Sequence, residues 1–213
     1  PDRHDVLCPH ILRGEGEGIS SGPPIRLSPR RAILGSEAFV SVPVISVVGN
    51  SGVGKTALLE KLVRELKSRG YRVAAIKHDA HNFQMDHPGK DTYRLAEAGS
   101  DAVIISAADR LALLEKVEEE RSLDDLAAMV SDRVDIILTE GYRRAATAKI
   151  EVSRRAFSSE LVAPVDELLA LVTDQQFDID VPHFGLNDAA ALVDFLERRF
   201  ALMAGRKAAA ARG

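Results

Sequence analysis

Short apolar runs alternate with amphipathic segments through the central part of this chain. Six runs rich in branched aliphatic residues predict buried β-strands, at residues 43–48, 71–77, 102–106, 134–139, 149–152 and 168–172. Apolar residues at helical spacing predict helices directly after residue 55 and at residues 91–99, 123–130 and 189–200. Because strands alternate with helices, the pattern predicts an α/β fold with a doubly wound, mostly parallel sheet flanked by helices.

The two ends of the chain lack this alternation. Residues 1–41 contain stretches rich in glycine, serine and proline without a sustained apolar period, so we expect a poorly ordered leader. A specific docking arm is the alternative for this leader. Residues 204–213 predict a frayed basic tail. We therefore expect one folded domain, at residues 42–203.

The segment between the first strand and the first helix matches the phosphate-binding pattern G-x-x-x-x-G-K-[ST] in full. Its residues are Gly49, Asn50, Ser51, Gly52, Val53, Gly54, Lys55 and Thr56, and Ala57 follows them. The N–H groups at a helix start lack intrahelical partners and can bind an anion. In this pattern the lysine contacts the terminal phosphates of a nucleotide and the threonine hydroxyl ligates Mg²⁺. A glycine-rich turn that only connects the two elements is the alternative.

A phosphate loop of this kind needs a carboxylate from a neighbouring strand to hold the metal, directly or through water. The strand at residues 134–139 offers Asp135 near its start and Glu140 at its end. Five residues of extended chain separate these Cα atoms by roughly 16 Å, so only one of them can lie beside the loop. Because the loop follows the carboxyl end of its own strand, we predict Glu140 as the metal-side or water-orienting residue. Asp135 is then a helix-end or turn residue, and a salt-bridged rim position is the alternative for Glu140.

A polar segment with many ionisable groups follows the second strand. Its candidate ligand-binding residues are Lys77, His78, Asp79, Asp86, Lys90, Asp91 and Arg94. Ligands of parallel sheets bind beyond the carboxyl ends of the strands, so we expect a phosphate-side lid or a partner-facing surface here. Asp91 is the predicted N-cap of the helix that follows, and Gly99 its stop. The histidines His78, His81 and His87 also leave a zinc or iron site open.

Charge and composition narrow the classes of function. A formal net charge of -4 argues against general nucleic-acid binding, and no apolar run approaches the ~18 residues of a membrane span. The single cysteine, Cys8, suits a reducing cytoplasm. From Arg143 to Arg155 five basic residues and one acidic residue suit an anionic ligand or an acidic partner, although an ordinary solvated face is the alternative. Asp174 follows a predicted strand where guanine-reading carboxylates can occur, but its flanking residues leave the base undetermined.

Several motifs taken together resemble the MobB family of molybdopterin-guanine dinucleotide biosynthesis. Besides the phosphate loop they are Lys77-His78-Asp79-Ala80-His81, Asp86-His87-Pro88-Gly89-Lys90-Asp91-Thr92-Tyr93-Arg94, Ala98-Gly99, Thr139-Glu140-Gly141-Tyr142 and Lys149-Ile150-Glu151-Val152-Ser153-Arg154. They occur in the family's order and cover roughly residues 43–155. Ala57, where the family commonly has a second threonine, and the leader depart from the pattern.

The resemblance implies a P-loop GTP-binding domain that uses GTP with Mg²⁺, forms a homodimer and hydrolyses GTP slowly. It also implies partnership with the guanylyltransferase that joins GMP to molybdopterin. On this basis Lys55 and Glu140 are the expected catalytic residues, Thr56 and Glu140 the expected metal ligands, and Gly141 an additional nucleotide-site residue. Two other functions stay open. One is a small-molecule kinase, in which Asp79 or Asp86 accepts a substrate proton, and the other is a switch GTPase that acts only through protein binding.

Overall fold

A six-stranded parallel sheet forms the centre of the computed structural model, which describes residues 42–79 and 85–203. The strands are β1 (Val44–Val48), β2 (Val73–Lys77), β3 (Ala102–Ser106), β4 (Leu111–Glu115), β5 (Ile136–Glu140), β6 (Ala148–Ser153), β7 (Leu168–Thr173) and β8 (His183–Phe184). The helices are α1 (Lys55–Ser68), α2 (Asp91–Glu97), α3 (Leu123–Ala128) and α4 (Ala189–Phe200), with a 3₁₀ turn at Val165–Glu167. The order across the sheet is β2-β5-β1-β6-β7-β8, and every neighbouring pair is parallel.

The predicted α/β fold with a mostly parallel sheet flanked by helices is confirmed. Helices α1 and α4 pack together on one face of the sheet. The buried residues of α1 recur every three or four positions, which places them on one side of the helix: Leu58, Leu59, Leu62 and Leu66. Leu192, Val193 and Leu196 of α4 meet them over Ile45 and Val47 of β1. This shared cluster is the main apolar core of the described residues.

Helix α3 covers part of the opposite face. Ala127 of α3 packs with Val134 and Ile137, and the half-buried Val44 and Ile76 border this cluster. Ser122 caps the helix, because its hydroxyl oxygen accepts a hydrogen bond from the Asp125 N–H at 3.1 Å. The sheet therefore has a helical layer on each side, and its carboxyl edge is left for loops.

The third predicted strand does not join the central sheet. Strand β3 pairs with β4 as a separate antiparallel hairpin, in the register Ile104↔Leu113 and Ser106↔Leu111. The apolar run predicted a strand correctly, but a run of this kind does not identify its pairing partner. Only four residues separate β3 from β4, and such a short connection favours an antiparallel hairpin over a parallel crossover.

Two smaller differences concern boundaries. Asp91 is the first residue of α2 and Lys90 is its N-cap, so the predicted N-cap is wrong by one position. The edge strand β8 has only two residues and follows a polar loop, so no apolar pattern in the sequence predicts it. The leader at residues 1–41, the tail at residues 204–213 and residues 80–84 lie outside the described residues.

Shortening one core leucine tests the packing between α1 and the sheet. Leu62 is fully buried, so Leu62→Ala should lower the free energy of unfolding by about 2–5 kcal/mol through lost burial and a residual cavity. Leu95 of α2 is 54% exposed, and Leu95→Ala should change that free energy by roughly 0.5 kcal/mol or less. Urea unfolding of both variants checks the difference. Equal losses would contradict the assignment of this core.

Candidate functional site

The phosphate loop runs from the end of β1 to the start of α1, as predicted. Gly49 has φ +138, and a Cβ atom at this position would lie 2.4 Å from the backbone oxygen of Val152 in β6. Only glycine permits that approach, so the close packing of the loop on β6 explains the first glycine of the pattern. Gly54 caps α1 in the left-handed conformation, and the helix therefore begins at Lys55 with its N–H groups directed towards the loop.

Lys55 lies across the loop that precedes it. Its ammonium group donates hydrogen bonds to the carbonyl oxygens of Gly49 at 3.2 Å and Asn50 at 2.9 Å. The side chain is half-buried, so its charge is held at the mouth of the loop. An anion in the loop would meet both this charge and the N–H groups at the start of α1.

Thr56 and Glu140 meet beside the loop. The Thr56 hydroxyl donates a hydrogen bond to Glu140 Oε2 at 2.8 Å, across 84 positions of sequence. Strand pairing causes this meeting, because Glu140 at the end of β5 lies opposite Val47 of β1 and Lys77 of β2. The predicted position of Glu140 at the loop side of its strand is therefore what the structure has, and its role as a metal or water ligand remains a prediction.

A magnesium ion fits the chemistry of this pair. Mg²⁺ prefers oxygen ligands and usually takes one or two protein groups together with phosphate oxygens and water. The Thr56 hydroxyl and the Glu140 carboxylate are two such oxygens, side by side at the helix start. Within residues 42–79 and 85–203 no cluster of three or more histidine, cysteine, aspartate or glutamate side chains could hold a metal. A zinc or iron site that uses His81 lies outside this range.

Asp135 lies at the opposite end of β5. Its carboxylate accepts hydrogen bonds from the Arg72 backbone N–H at 2.8 Å and from the Arg72 guanidinium at 2.7 Å. These contacts raise the pKa of Arg72, since the hydrogen bond to Asp135 favours the charged guanidinium. Asp135 therefore fixes the turn before β5 to the start of β2, and it does not reach the phosphate loop.

His78 connects the site to a second loop. Its backbone N–H donates to the Glu140 carbonyl oxygen at 3.0 Å, and its Nε2 lies 2.9 Å from Glu120 Oε1. The imidazole ring packs against the Tyr142 ring with centroids 5.1 Å apart. Burial, followed by the nearby Glu120 carboxylate, raises the pKa of Tyr142. The sequence patterns did not identify Glu120 or Tyr142 as site residues, although Tyr142 belongs to the same short motif as Glu140.

Gly141 makes this contact possible. A Cβ atom at Gly141 would lie 3.3 Å from the Cβ of His78, and the backbone there has φ +91. The segment that follows is tied to the sheet by three hydroxyl groups. Thr139 Oγ1 donates to Ser46 Oγ at 2.9 Å, and Ser46 Oγ lies 2.7 Å from Thr147 Oγ1. Residues 141–147 are thus fixed at both ends next to Glu140.

The remaining candidates of the polar segment make local contacts. The Asp86 carboxylate accepts hydrogen bonds from the Thr92 hydroxyl and the His87 N–H, both at 2.7 Å, and the Thr92 bond is the main cause of its lowered pKa. Arg94 approaches Asp91 at 3.7 Å, and both side chains, like those of Lys77, Asp79 and Lys90, are exposed. Among the described residues, the side-chain hydrogen bonds and ion pairs of Asp86, Asp91 and Arg94 stay within residues 86–94, so they do not connect these three to the phosphate loop.

One basic residue of the stretch from Arg143 to Arg155 is buried in the protein. Lys149 is 1% exposed, and its ammonium group bonds to Glu167 and to the Ala145 carbonyl oxygen. Asp174 accepts a hydrogen bond from the Arg155 N–H at 2.8 Å and faces the Arg154 guanidinium at 3.9 Å. A ligand-binding role for the whole stretch is therefore wrong for Lys149, whose charge is already paired.

Comparison with known proteins places the chain in a family. Residues 44–174 match the family model described as MobB, molybdopterin guanine dinucleotide synthesis protein B. The chain belongs to the MobB family. It is 37% identical over 157 residues to the molybdopterin-guanine dinucleotide biosynthesis adapter protein of Haemophilus influenzae, an alignment that covers 73% of this chain and 88% of that protein. The adapter protein of Escherichia coli is 37% identical over 162 residues, with 73% and 91% covered.

Solved structures of MobB proteins share the fold. The MobB homologue of Bacillus stearothermophilus has a TM-score of 0.56 at 25% identity, and the match covers 74% of this chain and 97% of that one. Bacillus subtilis MobB has a TM-score of 0.60 at 23% identity, with 73% and 97% covered. Among the described residues, no helix has the length and apolar character needed to cross a membrane.

Two isosteric substitutions at the ends of β5 test the assignment of Glu140. Glu140→Gln keeps the shape but removes the charge beside Thr56, so the magnesium-dependent GTP hydrolysis expected from the sequence should fall roughly tenfold to a hundredfold. Asp135→Asn should leave hydrolysis nearly unchanged but lower the free energy of unfolding by about 1–3 kcal/mol, because Arg72 loses its charged partner. Hydrolysis rates and urea unfolding on the same preparations give both readouts. The reverse pattern would contradict the site.

Proposed function

We propose that this chain is a GTP-binding adapter of molybdenum cofactor biosynthesis, which hydrolyses GTP slowly with Mg²⁺ and assists the guanylylation of molybdopterin to molybdopterin-guanine dinucleotide. The contact between Thr56 and Glu140, beside a complete phosphate loop, carries this proposal. Family membership supports the pathway, because two relatives bear the name molybdopterin-guanine dinucleotide biosynthesis adapter protein.

One group of site residues would bind the phosphates of the nucleotide, and another would bind the metal ion. The N–H groups of residues 49–56 and the ammonium group of Lys55 would bind the phosphates of GTP. Thr56 and Glu140 would hold Mg²⁺, which supplies positive charge next to the terminal phosphates. Glu140 is also near enough to the loop to orient a water molecule for slow hydrolysis. The half-buried position of Lys55 limits the screening of its charge by solvent.

An adapter needs a surface that contacts its partner enzyme, and the polar segment that follows β2 offers one. Lys90, Asp91 and Arg94 are exposed on one short stretch around the start of α2. Their local contacts favour a partner-facing surface over a lid that closes on the phosphates. We infer that this surface contacts the guanylyltransferase that joins GMP to molybdopterin. The single cysteine of the sequence suits action in the cytoplasm.

Loss of the lysine charge tests the nucleotide site. Lys55→Ala should weaken GTP binding at least about tenfold, since a charge-assisted contact to phosphate contributes about 1.5–3 kcal/mol. Lys67→Ala, at an exposed position of the last turn of α1, is the control and should bind GTP like the unmodified chain. Calorimetric titration with GTP and with ATP, each with and without Mg²⁺, measures the affinities. Equal GTP affinity of all three proteins would refute the phosphate site.

The same proteins distinguish the adapter from its alternatives. With the guanylyltransferase, GTP and molybdopterin present, the unmodified chain should increase formation of the dinucleotide, and Lys55→Ala should not. A kinase would instead transfer the terminal phosphate to an acceptor at a rate far above its GTP hydrolysis. A switch GTPase would bind its partner in a nucleotide-dependent way without any change in dinucleotide formation.

The proposed homodimer is supported by the hairpin of β3 and β4. Ile104, Leu111 and Leu113 share one face of this hairpin and are 63%, 70% and 40% exposed. A two-stranded hairpin is marginally stable by itself, and an exposed apolar face of this kind is typical of a protein interface. We expect a second copy of the chain to cover it.

A charge on the hairpin tests this expectation. Leu113→Asp should shift the protein from dimer to monomer in sedimentation experiments, because a buried unpaired carboxylate disfavours the interface. Val165→Asp introduces the same charge at a 44% exposed position of the 3₁₀ turn and should leave the dimer intact. A dimer of unchanged affinity in Leu113→Asp would place the interface elsewhere.

A further inference from the structure

An open cavity lies at the same edge of the sheet as the phosphate loop, at the carboxyl ends of β7 and β8. Its volume is about 680 Å³, and its lining includes Gln175, Phe177, Asp178, His183 and Phe184. All six strands of the sheet are parallel, so their carboxyl ends share one edge with the loop that follows β1. The cavity therefore belongs to the edge where ligands of such sheets bind.

The spacing of the strands places the cavity within reach of a nucleotide. Strand β7 is separated from β1 by β6 alone, and neighbouring strands lie about 4.8 Å apart. The end of β7 is thus roughly 10 Å from the end of β1 along the edge. A nucleotide with its phosphates in the loop at residues 49–56 can extend over β6 and direct its base to this cavity.

The hydrogen-bonding groups at this edge are not equally available. One carboxylate oxygen of Asp174 accepts a hydrogen bond from the Arg155 N–H, the other lies 3.9 Å from the Arg154 guanidinium, and Asp174 does not line the cavity. The side-chain amide of Gln175 donates to Ser153 Oγ at 2.9 Å and to the Ser158 carbonyl oxygen at 2.8 Å. Asp178, in contrast, is exposed and has no hydrogen bond or ion pair with the residues that the structure describes. It is the carboxylate that a ligand in the cavity can use.

The aromatic side chains of the lining also differ in availability. The Phe184 ring packs against Phe195 of α4, with centroids 5.7 Å apart, and belongs to the main core. Phe177 is half-buried and makes no ring contact with any other described residue. A flat heterocycle in the cavity can therefore stack on Phe177, next to the carboxylate of Asp178.

We propose that this cavity is the base subsite of the nucleotide site and that Asp178 selects guanine. The inference rests on the nucleotide binding proposed above. A carboxylate only accepts hydrogen bonds, and guanine presents two adjacent donors, its N1–H and its 2-amino group. Adenine presents an acceptor nitrogen in place of the N1–H, so it would face Asp178 with like partial charge. Phe177 stacks on the ring of either base, and Asp178 provides the distinction between them.

The test exchanges the hydrogen-bonding character of position 178. Asp178→Asn should weaken GDP binding roughly tenfold to a hundredfold, the range of a lost charge-assisted pair, without a matching loss for ADP. Xanthosine diphosphate carries an oxygen in place of the 2-amino group, and the asparagine amide can donate to it. The variant should therefore bind xanthosine diphosphate more tightly than the unmodified chain does. Asp180→Asn is the matched control, an exposed aspartate of the same loop that does not line the cavity.

A second variant separates stacking from base selection. Phe177→Leu keeps apolar volume but removes the flat ring, so affinities for GDP and ADP should fall by the same factor and their ratio should stay constant. Titration calorimetry of the two variants and the control, with GDP, ADP and xanthosine diphosphate, provides all the values. Melting temperatures of the same preparations confirm that the variants are folded.

The outcomes separate this inference from the proposed function. GDP binding that depends on Lys55 but not on Asp178, with no gain for xanthosine diphosphate, would overturn the base subsite and keep the phosphate site. GDP binding that depends on neither residue would overturn both.

A pterin ring carries the same pair of donors as guanine. Pterin binding that depends on Asp178 and is unaffected by Lys55→Ala, with GDP binding unaffected by Asp178→Asn, would assign the cavity to a pterin and overturn the guanine assignment.

Discussion

The parallel pairing of β1 with β5 and β6 is the constraint on which the site depends. It places Glu140 opposite Val47, two positions before the phosphate loop, and brings the Gly141 N–H to 3.2 Å from the Val47 carbonyl oxygen. The same alignment on the other side brings Val152 of β6 against Gly49. A shift of one residue in either pairing would turn the side chain of Glu140 to the other face of the sheet or press the loop into β6. The chemistry of the site is thus a consequence of strand register.

Residues close in sequence to a strong local pattern could be predicted. The phosphate loop follows from its spacing of glycines, and the choice of Glu140 over Asp135 follows from the length and direction of one strand. The layers of helices follow from the apolar stripes of α1 and α4, because each stripe needs a core to cover it. These inferences required no knowledge of which segments touch across long distances in the chain.

Contacts between distant segments could not be predicted in this way. The approach of Glu120 to His78 joins a charged loop to a strand end 42 positions earlier, and nothing in the local sequence of either residue specifies it. The pairing of β3 with β4 is a different case, since these strands are only four residues apart, but an apolar run predicts a strand without identifying its pairing partner. Lys149 was misread because the local excess of basic residues suggested a solvent-facing surface, whereas the strand turns this side chain towards Glu167 inside the protein.

The position of Lys55 makes phosphate binding an exchange reaction. Its ammonium group is hydrogen-bonded to the Gly49 and Asn50 carbonyl oxygens, and a phosphate bound as proposed would compete with these two oxygens for the same charge. The contribution of Lys55 to the free energy of phosphate binding is therefore the difference between its bonds to phosphate and its bonds to the two carbonyl oxygens. This difference is smaller than the contribution of either set of bonds alone. In return the loop is preorganised by its own lysine, so little conformational entropy is lost when a ligand enters. In the proposed nucleotide cycle, the carbonyl oxygens would bind the ammonium group again when a product leaves, so the loop would return to its starting conformation without refolding.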